Sequence, residues 1–255
     1  MPLELVTVPC LKDNYAYLIH DAESGQTALV DVPEAAPILA ALEERGWKLG
    51  MILLTHHHSD HIQGVPELVA ATGAVVLGAR ADTTRLPRLD RALAEGDQIT
   101  VGGETGYVLD VSGHTMGHIA FVFPGSHLAF TADSLMAGGC GRLFEGTPAT
   151  MWASLSKLAA LPGQTLICSG HEYTLSNLRF ALTVEPENPA LLARMVQVTA
   201  ARAAEKATMP SLLSEELATN PFLRAGLPQV KAALGMGKAS DAEVFAEIRA
   251  RKDKF

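Results

Sequence analysis

Short apolar runs alternate with polar, turn-rich segments through the first two thirds of the chain, and the rhythm then changes to helical spacing. Leu3 to Val8 and Tyr15 to His20 have strand length and are joined by Pro9 to Asn14, a segment rich in turn formers. Gln26 to Val32 follows Glu23-Ser24-Gly25 and completes an antiparallel start. Ile38, Leu39 and Leu42 recur at helical spacing within Glu34 to Arg45, which stops at Gly46. Met51 to Leu54 is an apolar run bounded by turn chemistry, and so predicts a buried strand. Ile62 to Thr72 reads as a helix ended by Gly73, with Pro66 in its first turn.

Further strands are predicted over Ala74 to Leu77, Gln98 to Val101, Tyr107 to Val111, His118 to Phe123, His127 to Thr131 and Thr165 to Cys168. Arg80 to Glu95, rich in arginine, predicts a surface loop with a short helix. From Tyr173 the strand signal stops. Leu175 to Thr183, Pro189 to Lys206, Ser211 to Ala218 and Ala242 to Arg251 read as helices, which predicts a mixed α/β domain over 1–173 and a helical one over 174–255.

At 48% hydrophobic and 19% charged residues, 255 residues suffice for a substantial core. A net charge of −8 argues against binding nucleic acid, which relies on basic surface to displace counterions. No apolar stretch approaches the ~18 residues of a membrane span, and Met1 to Glu4 lacks the basic start of a signal peptide. Cys10, Cys140 and Cys168 are an odd set without zinc-finger or CxxC spacing and read as reduced thiols. The expectation is a cytoplasmic, monomeric enzyme with no nucleic-acid or membrane partner.

Chemistry concentrates where the predicted strands end. Thr55-His56-His57-His58-Ser59-Asp60-His61 follows the strand at 51–54 and places four potential ligands in the spacing His-x-His-x-Asp-His. In an extended segment residues two apart point the same way, so His56 and His58 project together, with Asp60 and His61 on the next turn. A histidine-rich turn can simply be solvated. Here, however, His114, Asp133 and His171 also follow strands, so ligand type and context agree. His57 is out of phase and reads as a packing or supporting residue. Asp31, at a strand end before Pro33, could orient a metal-bound histidine or cap the helix beginning near Glu34.

These motifs resemble the metallo-β-lactamase superfamily and, within it, the glyoxalase II or hydroxyacylglutathione hydrolase family. The resemblance is carried by 55–61, Gly113-His114-Thr115, Thr131-Ala132-Asp133-Ser134, Gly139 to Thr147, Gly170 to Thr174, Asn220-Pro221-Phe222 and Arg249 to Phe255. It implies an αββα sandwich followed by a smaller helical domain. His56, His58 and His114 would hold one divalent ion, Asp60, His61 and His171 the other, with Asp133 bridging. The ions would be zinc, with iron, manganese or mixed occupancy as alternatives.

The implied reaction is attack of a metal-bridging hydroxide, oriented in part by Asp60, on the thioester of an S-(2-hydroxyacyl)glutathione. S-D-lactoylglutathione would give D-lactate and glutathione, the second step of methylglyoxal detoxification. Arg142, Tyr173, Arg249 and Lys252 fall at glutathione-contacting positions of the family pattern. Phe144 joins them, standing where many relatives carry tyrosine. Ala132 and Ser134 replace the common glycine and threonine beside the bridging acid. The rival readings are an iron-dependent persulfide dioxygenase of the same superfamily, a lactonase or β-lactamase, and a non-catalytic metal-binding protein.

Overall fold

Asn14–Asp21 is buried at every position, so both faces of this strand must be covered. The computed structural model, which describes residues 1–255, places the strand second in a six-stranded mixed sheet, where neighbours pair both its edges and Tyr17 packs on Phe130 of a second sheet. That sheet runs β1 (Glu4–Cys10), β2 (Asn14–Asp21), β3 (Gln26–Val30), β4 (Leu49–Leu53), β5 (Val75–Ala79) and β6 (Arg91–Leu93). β1, β2 and β3 pair antiparallel, whereas β3 to β6 are parallel. Helix α1 (Ala35–Arg45) joins β3 to β4; α2 (Ser59–Ile62) and α3 (Val65–Thr72) join β4 to β5.

A second, antiparallel set consists of β7 (Gln98–Val101), β8 (Glu104–Asp110), β9 (Ile119–Phe123) and β10 (Leu128–Ala132). It packs on the first sheet through the Tyr17 and Phe130 rings, whose centroids are 5.7 Å apart. Ile119 N also donates to Thr55 O at 2.9 Å, tying the two sheets together beside the histidine loop. These elements belong to one compact unit, Met1–Asp110 with Gly117–Ala132.

The second unit comprises Val111–Met116 and Asp133–Phe255. It holds a small hairpin of β11 (Leu135–Met136) and β12 (Gly139–Cys140), and the antiparallel pair β13 (Leu166–Ser169) and β14 (Ser211–Leu212). Around them are α4 (Pro148–Ala159), α5 (Thr174–Val184), α6 (Pro189–Ala203), α7 (Leu213–Thr219), α8 (Pro228–Ala233) and α9 (Asp241–Lys252). Phe180, Phe222 and Phe245 are fully buried and touch in series, with ring centroids 6.1 and 5.7 Å apart. Ser240 and Glu243 close a capping box at the start of α9. No helix is long and apolar enough to cross a membrane.

Several local expectations change. The single helix over 62–72 divides at Gly64, which passes so close to β3's end that a Cβ would sit 2.9 Å from Ala35 N and Val32 Cγ1. Within Arg80 to Glu95 the short helix is the 3₁₀ turn Arg80–Asp82, but Arg91–Leu93 is a strand rather than loop. Three residues are too few for a period to register. Ser211 and Leu212 pair with Ile167 and Leu166 before α7 begins, so the strand signal does return after Tyr173. Helix α4 was not anticipated, although Thr147 caps it by accepting from Thr150 N and Pro148 occupies its first turn.

Ala132 closes β10 at φ 39°, in the left-handed region where a Cβ costs about 1–2 kcal/mol. The departure from glycine is thus absorbed as backbone strain just before Asp133. Ala132→Gly is expected to be neutral or to stabilise by up to about 1 kcal/mol in thermal denaturation, because strain relief offsets the added chain entropy. A loss of more than about 1 kcal/mol, the ordinary cost of glycine inside a strand, would show that no strain is stored there.

Candidate metal centre

Strand β4 ends at Leu53, and Leu54 N still donates to Leu77 O at 2.8 Å, so residues 55–58 leave the sheet extended. His58 has φ −61° and ψ 141° and precedes the single turn of α2, which carries Asp60 and His61. His56 and His58 consequently lie on the same side, with ring centroids 4.8 Å apart. His61 folds back so that its ring is 4.3 Å from that of His56. Potential ligand atoms of Asp31, His56 and His61 fall within 4.8 Å of one another.

Hydrogen bonds select the imidazole form that a metal needs. Asp31 Oδ1 accepts from Thr55 N at 2.9 Å, and Oδ2 accepts from Thr55 Oγ1 at 2.8 Å. Asp31 Oδ2 also lies 2.8 Å from His61 Nδ1, so that nitrogen must be the protonated one. Because the Thr55 hydroxyl proton is spent on Asp31, its oxygen accepts from His56 Nδ1 at 3.0 Å. Both rings then carry their lone pair on Nε2. This resolves the two readings of Asp31: α1 is preceded by Glu34 without a side-chain cap, and Asp31 orients histidines. At φ 58° Asp31 also occupies a left-handed turn that aspartate tolerates better than most residues.

His57 faces away from this group. Its Nδ1 meets the buried Asp82 at 2.8 Å, and Arg85 Nε donates to the other oxygen of Asp82 at 2.6 Å. The supporting role expected for His57 therefore has a concrete partner. Asn14, Asp82 and His118 were not singled out by sequence. Asn14 Nδ2 donates to Asp60 Oδ2 at 3.1 Å, and His118 stacks on His56 at 4.6 Å. Asn14 opens β2, but in the sequence it closes the turn-rich segment Pro9 to Asn14, so its side chain looked like ordinary turn chemistry.

The second unit brings His114, Asp133 and His171 together. Asp133 Oδ2 lies 3.5 Å from His114 Nε2 and 3.3 Å from His171 Nε2. Ligands about 2.0–2.1 Å from a shared tetrahedral zinc ion would be about 3.3–3.4 Å apart, so both separations suit oxygen and nitrogen donors converging on metal. Arg142 O accepts from His114 Nδ1 at 2.8 Å, which again leaves Nε2 as the coordinating atom. On donor chemistry and spacing the residues fit divalent ions.

The residues expected at glutathione all lie in this second unit. Phe144 is 61% exposed and meets the His114 ring edge-on at 5.3 Å. Tyr173 stacks on His171 at 4.7 Å, and Arg142 is exposed, 3.5 Å from Asp253. Arg249 is different. It is only 6% exposed, donates to Cys140 O at 3.0 Å, pairs with Asp253 at 2.9 Å and lies over the Phe222 ring at 5.1 Å. Lys252 Nζ sits 5.3 Å from the Phe180 ring and 5.0 Å from that of Phe255. Burial and then the Arg249 charge depress its pKa. Neither side chain is a solvated helix end. Burial raises the Cys140 thiol to about 11, so it remains protonated near neutrality and is no nucleophile.

Comparison with known proteins decides the family. The metallo-β-lactamase superfamily model matches residues 13–171, and the hydroxyacylglutathione hydrolase C-terminus model matches 172–255. A hydroxyacylglutathione hydrolase of Fuscovulum blasticum is 68% identical over all of both chains; one from Ruegeria pomeroyi is 63% identical with the same coverage. This chain belongs to the hydroxyacylglutathione hydrolase family. Its fold is the αββα sandwich with a helical C-terminal region, as the motifs implied. Among solved structures, TTHA1623 in a di-iron-bound form is 31% identical with TM-score 0.57, covering 66% of this chain and 91% of that one. ETHE1 from Myxococcus xanthus, at 24% identity and TM-score 0.67 over 98% of this chain and 90% of that chain, shares the fold.

Replacing Asp31 with alanine should weaken zinc binding about 10- to 100-fold, measured by competition with a chromophoric chelator, because His61 and Thr55 lose their common acceptor. Unaltered affinity would mean that the loop holds its geometry without the carboxylate.

Proposed function

We propose that this chain hydrolyses the thioester of S-(2-hydroxyacyl)glutathione, with S-D-lactoylglutathione the characteristic substrate, releasing a 2-hydroxy acid and glutathione. The observation that carries the reading is full-length similarity to hydroxyacylglutathione hydrolases, spanning both the ligand motifs and the segment with Tyr173, Arg249 and Lys252. His56, His58 and His114 would hold one divalent ion and Asp60, His61 and His171 a second, with Asp133 shared. Zinc is the first choice, and iron or manganese suit the same donors. Two such ions, when bound, acidify water from a pKa of ~15.7 towards ~7 and polarise an acyl oxygen.

The chain's own groups divide the remaining work. Asp31, Thr55 and the Arg142 carbonyl fix imidazole orientation in advance, so no reorganisation is needed as the reaction proceeds. Asp60, held by Asn14, supplies an oxygen that can both ligate and orient water. The sulfur leaving group needs no strong general acid, since a thiol has a pKa near ~8.5.

Glutathione carries two carboxylates, and Arg142 and Lys252 are cations able to meet them. Arg142 is only loosely held by the exposed Asp253, an arrangement of little intrinsic strength that a substrate can replace. Lys252, destabilised as a cation by its surroundings, would gain from an arriving anion. Arg249, tied to the backbone of Cys140, would act on substrate by fixing the segment that leads to Arg142. Three buried cysteines without a disulfide suit a reducing cytoplasm, and action as a monomer completes the reading.

Chelation should abolish loss of S-lactoylglutathione absorbance under air and under argon alike, and zinc, iron or manganese added singly should restore it. A requirement for oxygen would favour the dioxygenase reading instead. Arg142→Ala should raise KM about 10-fold, a loss of about 1.4 kcal/mol, while kcat changes less than about threefold. An unchanged KM would remove Arg142 from the substrate contacts.

A further inference from the structure

The hairpin of β11 and β12 is too short to hold itself. It pairs only Leu135 with Cys140 and Met136 with Gly139, whereas even an isolated hairpin of ordinary length is marginal in water. Its residues are buried, and each peptide group needs a partner. Side chains from three helical segments supply them. Asn177 Nδ2 donates to Ala137 O at 3.0 Å. Asn220 Nδ2, at the end of α7, donates to Met136 O at 3.1 Å and Gly139 O at 2.9 Å. Gly138 N donates to Glu216 Oε2 at 2.8 Å, and Arg249 reaches Cys140 O. Glu216 is wholly buried, and its charge is offset by Arg194 and by a hydrogen bond from Ser211.

The segments flanking the hairpin carry chemistry. Asp133 precedes β11 by two residues, and Arg142 follows β12 by two. Gly141 N donates to Ser134 O at 3.3 Å, drawing the two flanks together. Gly141 passes so close that a Cβ would lie 2.0 Å from Asp133 O and 2.8 Å from His114 Nδ1. The next carbonyl, Arg142 O, is the acceptor that orients His114. A hairpin displaced by a fraction of an ångström would therefore shift Asp133, His114 and Arg142 at once.

We propose that Asn177 and Asn220, with Glu216 between them, are positioning residues for the hydrolase reaction: their grip on the β11–β12 hairpin sets the Asp133 carboxylate, the His114 imidazole and the Arg142 side chain. The inference rests on the reading given under Proposed function. Hydrophobic packing alone would not aim amide donors at the carbonyls of one turn from two separate helical segments. The hairpin's own ladder, two residue pairs long, is too short to substitute for them.

Asn177→Asp preserves shape and removes the donor. It should leave the far-ultraviolet circular dichroism unchanged, lower kcat/KM for S-lactoylglutathione at least ~10-fold and weaken zinc affinity at least ~10-fold. Asn188→Ala is the control, since Asn188 caps α6 and touches Ala190, Leu191 and Ala218 but not the hairpin. It should lower Tm while kcat/KM and zinc affinity stay within about twofold. If Asn177→Asp does not fold, Gly139→Ala tests the same contact from the other side, because its methyl would lie 2.6 Å from Asn177 Nδ2; the same double loss is expected. Unchanged kcat/KM and zinc affinity in the folded variant, or equal losses in Asn188→Ala, would overturn the proposal. A wild-type enzyme that binds zinc but leaves the thioester intact would defeat the hydrolase reading instead, and the zinc affinities of the variants would still decide the clamp.

Discussion

A carboxylate buried beside two imidazoles is costly unless positive charge arrives to offset its desolvation. Asp133 is 6% exposed, and its Oδ2 lies 3.5 Å from His114 Nε2 and 3.3 Å from His171 Nε2. Taking a carboxylate out of water costs several kcal/mol, which the groups around it must offset. Divalent cations bound at these donors would supply the compensation. Much of the local architecture can be understood as holding these donors ready: a left-handed Ala132 before Asp133, a close-passing Gly141, and a carbonyl that fixes the tautomer of His114.

The same logic recurs on the other donor set with different parts. Asp31 binds Thr55 and His61, and Thr55 in turn binds His56, so one buried acid orients two rings. Asp82 performs a related service for His57, whose ring meets that of His58 at 5.0 Å. Hydrogen bonding at Nδ1 is thus the common device for His56, His61 and His114. It converts histidine, which can present either nitrogen, into a ligand with one defined face.

How much of this was legible in sequence follows from the range of the interactions. β2, β9 and β10 were readable because burial on both faces leaves continuous apolar runs, and the ligands because they cluster just after predicted strands. Short elements were not: Arg91–Leu93 and Ser211–Leu212 have too few residues for periodicity, and their pairing partners are remote. Helix α4 began inside a segment valued for its motif, which hid the Thr147 cap. Asp31 remained open between two roles because only the fold brings it to His61. Arg249 was expected at the substrate, and its burial against Cys140, 109 positions away, could not be read locally.

The proposed sharing of Asp133 between two ions is tested most directly by calorimetric titration of the metal-depleted chain with zinc, alongside Asp133→Ala. The account predicts saturation at two ions per native chain, with thioesterase activity following occupancy, and loss of tight binding together with activity in the variant. Full activity at one ion per chain, or an Asp133→Ala chain that still binds two ions and turns over normally, would contradict it.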